Sequence, residues 1–486
     1  MRGNFENVAV DAPVVCADVD GTVLATDLLY ESFLVAVKRT PWILLAAPFW
    51  LLKGRANLKA RIAARAEGMS CALLPVHDQV VAYLKAEAEK GRRIVLASAS
   101  HQTLVAAVAR RMGFIHSIVS SQGAENCKGA AKARAIEAHL DGAPWEYVGD
   151  SSADFDVWRK ASGVIAVTDS NAFAARVRRE FADAKIIRKG APTWKTVARA
   201  LRVHQWLKNL LVFLPVILAH EWLNPEALIA SCVAAASFSL AASGVYLCND
   251  LLDLESDRQH PRKRKRPFAS GELPLRFGMV CAPLLFILAF FLAGLVHVEF
   301  VTVLALYVVI TTAYSLRLKA LAIVDIILLA MLYTIRIVGG GVAAGLVVSQ
   351  WLLGLSLFLF LSLACVKRFS ELLVLQQRNE KKTWGRGYWV GDMEQVASFG
   401  AASGYISVLV LALYVSSHEV TKLYSNPMLI WLACPLLLYW VSRVWLLARR
   451  GIVHDDPLVF ALRDRVTYVV AFLGLLIFVA AKFLHA

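Results

Sequence analysis

CNDLLDLESDRQHPRKRKRP, residues 248–267, is the stretch on which the reading turns. It closes an apolar run over 226–248, and Asp250, Asp253 and Asp257 follow in a three-then-four spacing. On a helix that spacing gathers them on one face. Carboxylates so placed repel one another unless cations intervene, and acids at a helix C-terminus also oppose the macrodipole. The bland reading is a solvated acidic helix end. A divalent cation carrying a diphosphate accounts for the arrangement better. Arg262, Lys263, Arg264, Lys265 and Arg266 follow at once, and such groups pair with phosphate oxygens. Some of these five also serve only as cytoplasmic loop charge.

Working outward, the apolar run is one of nine: 208–223, 226–248, 276–296, 299–315, 321–344, 349–367, 396–416, 427–447 and 466–484. Each approaches the roughly 17–25 residues a helix needs to cross the hydrocarbon, the shortest two fitting a tilted or re-entrant path as well. Loops after the second, fourth, sixth and eighth runs are basic, whereas the opposite loops carry only Lys422. That asymmetry predicts a cytoplasmic N-terminus and an external C-terminus in an inner or plasma membrane of bacterial type. With 58% hydrophobic residues, the 486-residue chain is neither one soluble domain nor disordered. Its net charge of +15 then reads as membrane topology, and no nucleic-acid partner is expected. Eight scattered cysteines without a CxxC predict free thiols. The N-terminus has no signal-peptide core.

Residues 1–187 read as a soluble α/β unit. VVCAD (14–18), RIVLAS (93–98) and WEYVGD (145–150) are short strands, with helical patterns such as QTLVAAVARRM (102–112) between them. Alternation of this kind predicts a mostly parallel sheet whose ligands bind at the strands' carboxyl ends. Residues 188–207 form a basic linker with Trp194, Val197 and Leu201 on one helical face, suited to a membrane surface. WILLAAPFWLL (42–52) is apolar throughout but too short to span, and reads equally as a core helix or a lipid-touching surface.

Asp18-Val19-Asp20-Gly21-Thr22 follows the first strand, Ser98 ends the second, Lys132 sits in GAAKARAI, and Gly149-Asp150-Ser151 precedes Asp154. This ordered set resembles the haloacid-dehalogenase-like phosphatases over about residues 12–185. The resemblance implies a Rossmann-like domain with a helical cap at 27–88. It implies Asp18 as nucleophile and Asp20 as acid and base. Ser98 and Lys132 (Lys128 being the other candidate) would hold the phosphoryl group. Mg²⁺ would sit on Asp18, Asp150 and Asp154.

NDxxDxxxD (Asn249, Asp250, Asp253, Asp257) followed by the basic run resembles the UbiA superfamily of membrane transferases over about residues 200–486. The expected architecture is therefore multidomain: the α/β unit plus an all-α polytopic membrane domain, 208–486, of nine transmembrane helices. Asn249, Asp250, Asp253 and Asp257 would hold Mg²⁺, with Asp250 and Asp253 catalytic, and Lys263, Arg264 and Arg266 would bind donor phosphates. Further motifs resemble the polyprenyl-phosphate phosphoribosyltransferase branch of arabinan precursor synthesis. These are QWxKN (Gln205, Trp206, Lys208, Asn209), YSxxLK (Tyr314, Ser315, Lys319) with Asp325, and Arg336 before Gly339–Gly341. KRxxE (Lys367, Arg368, Glu371) and an acidic stretch, Asp455 and Asp456, ending LRDR at 462–465 complete them. Prenyl-transferring members usually carry a second aspartate-rich motif where this chain reads KRFSELLVLQ.

The resemblance implies phosphoribosyl diphosphate as donor and a polyprenyl phosphate as acceptor. Arg336, Lys367 and Arg368 would position the acceptor, and Gln205, Lys208, Asn209, Tyr314, Lys319 and Glu371 would line the substrates. The soluble domain would then remove the 5-phosphate. A prenyltransferase acting on an aromatic acceptor and a non-enzymatic lipid carrier remain the alternatives, and the sequence leaves a homo-oligomer open.

Overall fold

The computed structural model describes residues 12–66, 68–121, 127–382, 385–417, 420, 423–453, 457–461 and 463–484. Lys422, Asp455, Asp456 and Leu462 lie outside the described residues. The chain divides into two units: residues 1–202 with 246–283, and residues 203–245 with 284–486. The chain first passes between the units after Arg202, and the loop carrying the Asp-rich motif joins the N-terminal unit.

That unit is built on six parallel strands: β1 Val14–Asp18, β2 Ile94–His101, β3 Ser117–Ser121, β4 Trp145–Gly149, β5 Gly163–Val167 and β6 Lys185–Ile187. Their order is β3-β2-β1-β4-β5-β6. Strand β1 is buried throughout, with Val15 and Ala17 in one apolar cluster and Val14 and Cys16 in the opposite one. Period-two alternation between two helix-covered faces explains its unbroken apolar run. The order reverses between β1 and β4, so the carboxyl ends of these two strands open the crevice where ligands bind in such sheets.

Helices Leu28–Arg39, Ile43–Leu52 and Arg55–Arg65 form the cap. Asp27 starts the first of them by accepting from the Leu29 amide at 2.8 Å. The next helix, Asp78–Glu89, sends Val80 and Leu84 into the sheet's core. It is a crossover of the sheet layer, so the helical cap is shorter than the expected 27–88.

The loop after the second apolar run is fastened to this domain. Arg258 grips Glu31 of the cap with two parallel bonds, Nη2 to Oε1 at 2.6 Å and Nη1 to Oε2 at 3.1 Å. Thr26 donates to the same carboxylate at 2.7 Å, and both ionic side chains are buried. Gly271, at φ 76–78° like Gly21 in the DGT turn, packs so closely that a Cβ would meet that of Ala25 at 2.7 Å. Removing one partner of a buried pair strands the other charge. Arg258→Ala is therefore expected to lower stability by about 3–5 kcal/mol. The check is heat inactivation of the soluble-domain hydrolase activity in the full chain, and an unchanged midpoint refutes the fastening.

The second unit is helical. Among the described residues, eight helices are long and apolar enough to cross a membrane: Pro225–Leu252, Leu275–Val296, Val298–Leu316, Val324–Ala343, Gln350–Gln377, Val390–Val415, Pro427–Arg449 and Arg465–Phe483. The first and second of these extend into the N-terminal unit. The expected span over 208–223 differs. Val203–Phe213 winds in 3₁₀ geometry and α geometry holds only over Leu214–Leu218. Arg202 precedes it at φ 52°, and Pro215 lacks the amide a continuous helix would use. Gly340 gives this segment its seat, because a Cβ there would lie 2.0 Å from the Val212 carbonyl oxygen. Gln350–Gln377 runs ten residues beyond its expected apolar run, so Lys367, Arg368 and Glu371 are helical rather than in a loop.

Candidate functional site

At the β1–β4 crevice the structure brings together Asp18, Asp20, Ser98, Lys132, Asp150 and Asp154. Lys132 Nζ lies 2.6 Å from Asp18 Oδ1 and 2.9 Å from the Tyr147 hydroxyl. Position 132, rather than 128, thus supplies the lysine that meets Asp18. Asp20 is held by the Leu28 amide at 2.8 Å, Ser98 Oγ at 2.9 Å and Ser100 Oγ at 2.7 Å. Ser98 therefore orients Asp20 as the site stands. Asp154 Oδ2 accepts from the Asp150 and Ser151 amides at 3.1 and 2.9 Å, fixing the GDSxxD turn.

Burial pushes the Asp18 carboxyl up to about 8, Lys132 pulls it back, and Asp154 and Asp20 add to the rise. Burial works against the Lys132 ammonium, yet Asp18 and Asp154 outweigh it and keep the group charged. Asp18, Asp150 and Asp154 each offer an oxygen, all within 4.8 Å of one another. Three hard oxygens gathered against their own repulsion fit Mg²⁺, whose charge would favour the anionic form of Asp18.

Sequence reading missed three neighbours. Lys189 Nζ lies 2.9 Å from Asp150 Oδ2 and 3.0 Å from the Gly21 carbonyl. Ser100 shares Asp20 with Ser98, two residues apart on the same strand face. Lys59 reaches from the cap to the Ala99 carbonyl at 3.0 Å, and burial lowers its amine while Asp20 and Asp27 oppose that shift. A spacing rule for strand faces finds Ser100. No local signal marks the two lysines.

The Asp-rich motif is less regular than its spacing suggests. Helix Pro225–Leu252 ends at Leu252 and Leu254–Gln259 begins anew, with Asp253 at the junction. Asp250 and Asp257 are buried and converge on Arg266 Nη1 at 3.1 and 2.7 Å. Arg202 adds a 2.5 Å bond to Asp250. Asp253 turns away to Lys38 of the cap at 3.4 Å, so the three carboxylates do not share one face. Asp257 Oδ1 is buried with no hydrogen-bond partner, and burial raises this carboxyl while Arg266 opposes it. An orphaned buried carboxylate oxygen beside a second carboxylate fits a divalent cation. Lys263 and Arg264 are exposed.

Two further clusters lie in the second unit. Asn209 donates to Ser239 Oγ at 2.8 Å and accepts from Arg336 Nε at 2.8 Å. Arg336 also reaches the Tyr307 hydroxyl at 3.0 Å and the Leu332 carbonyl, and Lys208 lies over the Tyr333 ring at 5.5 Å. Gln205 and Trp206 are half-buried beside them in sequence, and Trp206 donates to Ser243 at 3.0 Å. In the other cluster Arg368, fully buried, bonds Asp325 and Glu371, while Tyr314 donates to Asp325 at 2.8 Å. Arg386 approaches Asp325 and Glu371 at 3.8 and 3.6 Å. Two carboxylates are thus matched by two guanidinium groups. Arg336 and Arg368, expected to position an acceptor, are engaged by protein partners. Lys319 and Lys367 are half-buried.

The family model for UbiA, the UbiA prenyltransferase family, matches residues 210–463, and that for HAD, the haloacid dehalogenase-like hydrolases, matches 15–159. The chain belongs to the UbiA prenyltransferase family and carries a haloacid-dehalogenase-like hydrolase domain at its N-terminal end. It is an enzyme with one transferase-type and one hydrolase-type domain. An uncharacterized protein, y4nM, of Sinorhizobium fredii is 33% identical over 470 residues, 96% of this chain and 89% of that protein. The decaprenyl-phosphate phosphoribosyltransferase of Mycolicibacterium smegmatis is 35% identical over 189 residues, 38% of this chain and 59% of that protein. A solved UbiA homolog from Archaeoglobus fulgidus bound to GPP and Mg²⁺ matches at TM-score 0.46 and 17% identity, over 58% of this chain and 99% of that one.

Proposed function

We propose that the chain joins phosphoribosyl diphosphate to a polyprenyl phosphate, releasing diphosphate, and that its hydrolase domain then removes the 5-phosphate. The observation that carries the coupling is the shared unit: Glu31 of the cap and Arg258 of the Asp-rich loop form one buried pair. The phosphoribosyltransferase name of the Mycolicibacterium smegmatis relative supports the donor and acceptor. The balanced Asp325–Glu371–Arg368–Arg386 cluster supports them too, since it has no spare negative charge for the second cation of a prenyl diphosphate.

In the transfer, an acceptor phosphate oxygen forms a bond to the ribosyl anomeric carbon as the carbon–diphosphate bond breaks. The acceptor is already anionic, so no strong base is required. Asn249, Asp250, Asp253 and Asp257 are the candidates to hold Mg²⁺, which supplies charge neutralisation to the leaving diphosphate. Lys263, Arg264 and Arg266 take donor phosphate oxygens. Arg336 and Arg368 act as positioning residues through Asn209 and Asp325, with Gln205, Lys208, Tyr314, Lys319, Lys367 and Glu371 near the substrates. In the hydrolysis, Asp18 attacks phosphorus and Asp20 protonates the departing ribose oxygen. Asp20 then takes a proton from the water that cleaves the aspartyl-phosphate, releasing phosphate. Ser98 and Lys132 hold the phosphoryl oxygens, and Asp18, Asp150 and Asp154 hold the domain's Mg²⁺.

The basic loops after the second, fourth, sixth and eighth apolar runs support a cytoplasmic N-terminal domain. Arg202 and Asp250 meet at 2.5 Å, so the excursion from 203 to 249 begins and ends at one place. Its return limb is a 28-residue helix, about 42 Å at 1.5 Å per residue. Counted as one span, the bent pair Trp194–Ala200 and Val203–Leu218 brings the described helices to nine crossings, which puts the two termini on opposite sides.

Purified protein in vesicles, given phosphoribosyl diphosphate labelled in the ribose and a polyprenyl phosphate, should yield labelled lipid. Chelation of Mg²⁺ should stop it. Labelling only from prenyl diphosphate and an aromatic acid overturns the assignment in favour of an aromatic prenyltransferase.

A further inference from the structure

We propose that the cap helix Ile43–Leu52 lies in the cytoplasmic face of the lipid bilayer and holds the hydrolase domain's opening at the membrane surface. Its two faces differ in partner but not in character. Ile43 and Trp50 are buried, in a cluster with Ala36 and Val37. Packed against that cluster is Leu252, the last residue of the membrane-crossing helix Pro225–Leu252. The cap helix is therefore moored to the end of a span, at the depth where hydrocarbon gives way to headgroups.

The other face is uncovered and apolar. Trp42, Leu44, Leu45, Phe49, Leu51 and Leu52 are 53, 57, 76, 68, 49 and 85% exposed. A contiguous patch of this kind marks an interaction surface. At ten residues, about 15 Å, the helix is too short to cross the hydrocarbon. Cations fringe it: Arg39, Lys53 and Arg61 are exposed, and Arg65 lies over the rings of Trp50 and Trp42 at 4.7 and 5.7 Å. Apolar side chains bounded by Lys and Arg match acyl chains beneath anionic headgroups. Trp42 belongs at that boundary, with its ring half-immersed. The next cap helix carries Lys59, which bonds the Ala99 carbonyl beside the Asp20 serines. A phosphate attached to a lipid would thus meet the cap and the catalytic crevice without leaving the membrane. That last point rests on the proposed hydrolysis of a lipid-linked phosphate. The bilayer contact does not.

The test uses the full chain in vesicles of phosphatidylethanolamine and phosphatidylglycerol containing a trace of phospholipid with a diazirine in its acyl chain. After irradiation, adducts are mapped by peptide mass spectrometry, with the membrane spans as internal standard. Adducts are expected within residues 42–52. In the triple variant Leu45→Ser, Phe49→Ser, Leu52→Ser, labelling of that stretch should fall at least about fivefold while the spans label as before. The same variant should hydrolyse a small soluble sugar phosphate within about twofold of wild type and act at least about tenfold more slowly on vesicle-borne lipid phosphate. Labelled spans with no adduct at 42–52 overturn the proposal, and cross-links joining 42–52 of two chains would assign the surface to a second copy instead. Adducts at 42–52 with no hydrolysis of lipid phosphate by wild type uphold the contact and refute the reaction.

Discussion

Asp250→Asn is expected to cut phosphoribosyl transfer by about 10²–10³-fold while hydrolysis of a soluble sugar phosphate stays near wild type. Asp250 is buried and shared by Arg202 and Arg266. The substitution keeps its shape and removes its charge. Two guanidinium groups then lose an anionic partner at the proposed cation site. Asp253→Asn makes a graded comparison, because Asp253 is half-exposed and faces Lys38. A smaller loss there, with Mg²⁺ dependence retained, separates the converging pair Asp250 and Asp257 from the third carboxylate. The measurement is incorporation of labelled ribose into extractable lipid. Near wild-type transfer by Asp250→Asn would remove this residue from the metal site.

Asp18→Asn is expected to have the opposite signature. Loss of an attacking group costs about 10⁴–10⁶-fold, so hydrolysis should vanish while transfer continues. The labelled lipid should retain its 5-phosphate, visible as an added negative charge on anion exchange. Wild type should yield the dephosphorylated lipid. Identical phosphate content in both products would show that the hydrolase domain serves another substrate. The Lys132–Asp18 contact at 2.6 Å sharpens the result. The neutral amide leaves a buried ammonium without its partner, so thermal stability should be followed in parallel to separate lost chemistry from lost fold.

Much of this arrangement was legible where one physical signal dominates. VVCAD is a strand of the expected extent, WEYVGD forms one that stops a residue earlier at Gly149, and QTLVAAVARRM is the helix Gln102–Met112. Strong burial on known faces left little freedom there. Strands β3, β5 and β6 end in none of the motif residues, which is why none was singled out. The Asp-rich motif was found by spacing, yet spacing assumes an unbroken helix. The interruption at Asp253 sends one carboxylate to the cap. Arg202 escaped notice because one arginine in a basic linker resembles the rest until φ 52° swings it toward Asp250. KRxxE was placed in a loop because apolar character ends before Lys367, while the helix is prolonged by Arg368 pairing with Glu371 one turn on.

The discontinuity of the first unit bears on how the chain is made. Residues 1–202 leave the ribosome first, but their docking partner, 246–283, follows only after residues 203–245 of the second unit. Domains form largely as units while synthesis proceeds, so the early sheet can assemble while Glu31 still waits for Arg258. The pair closes only once residues 246–283 have been made. The fastening thus makes completion of the first unit wait on the first stretch of the second.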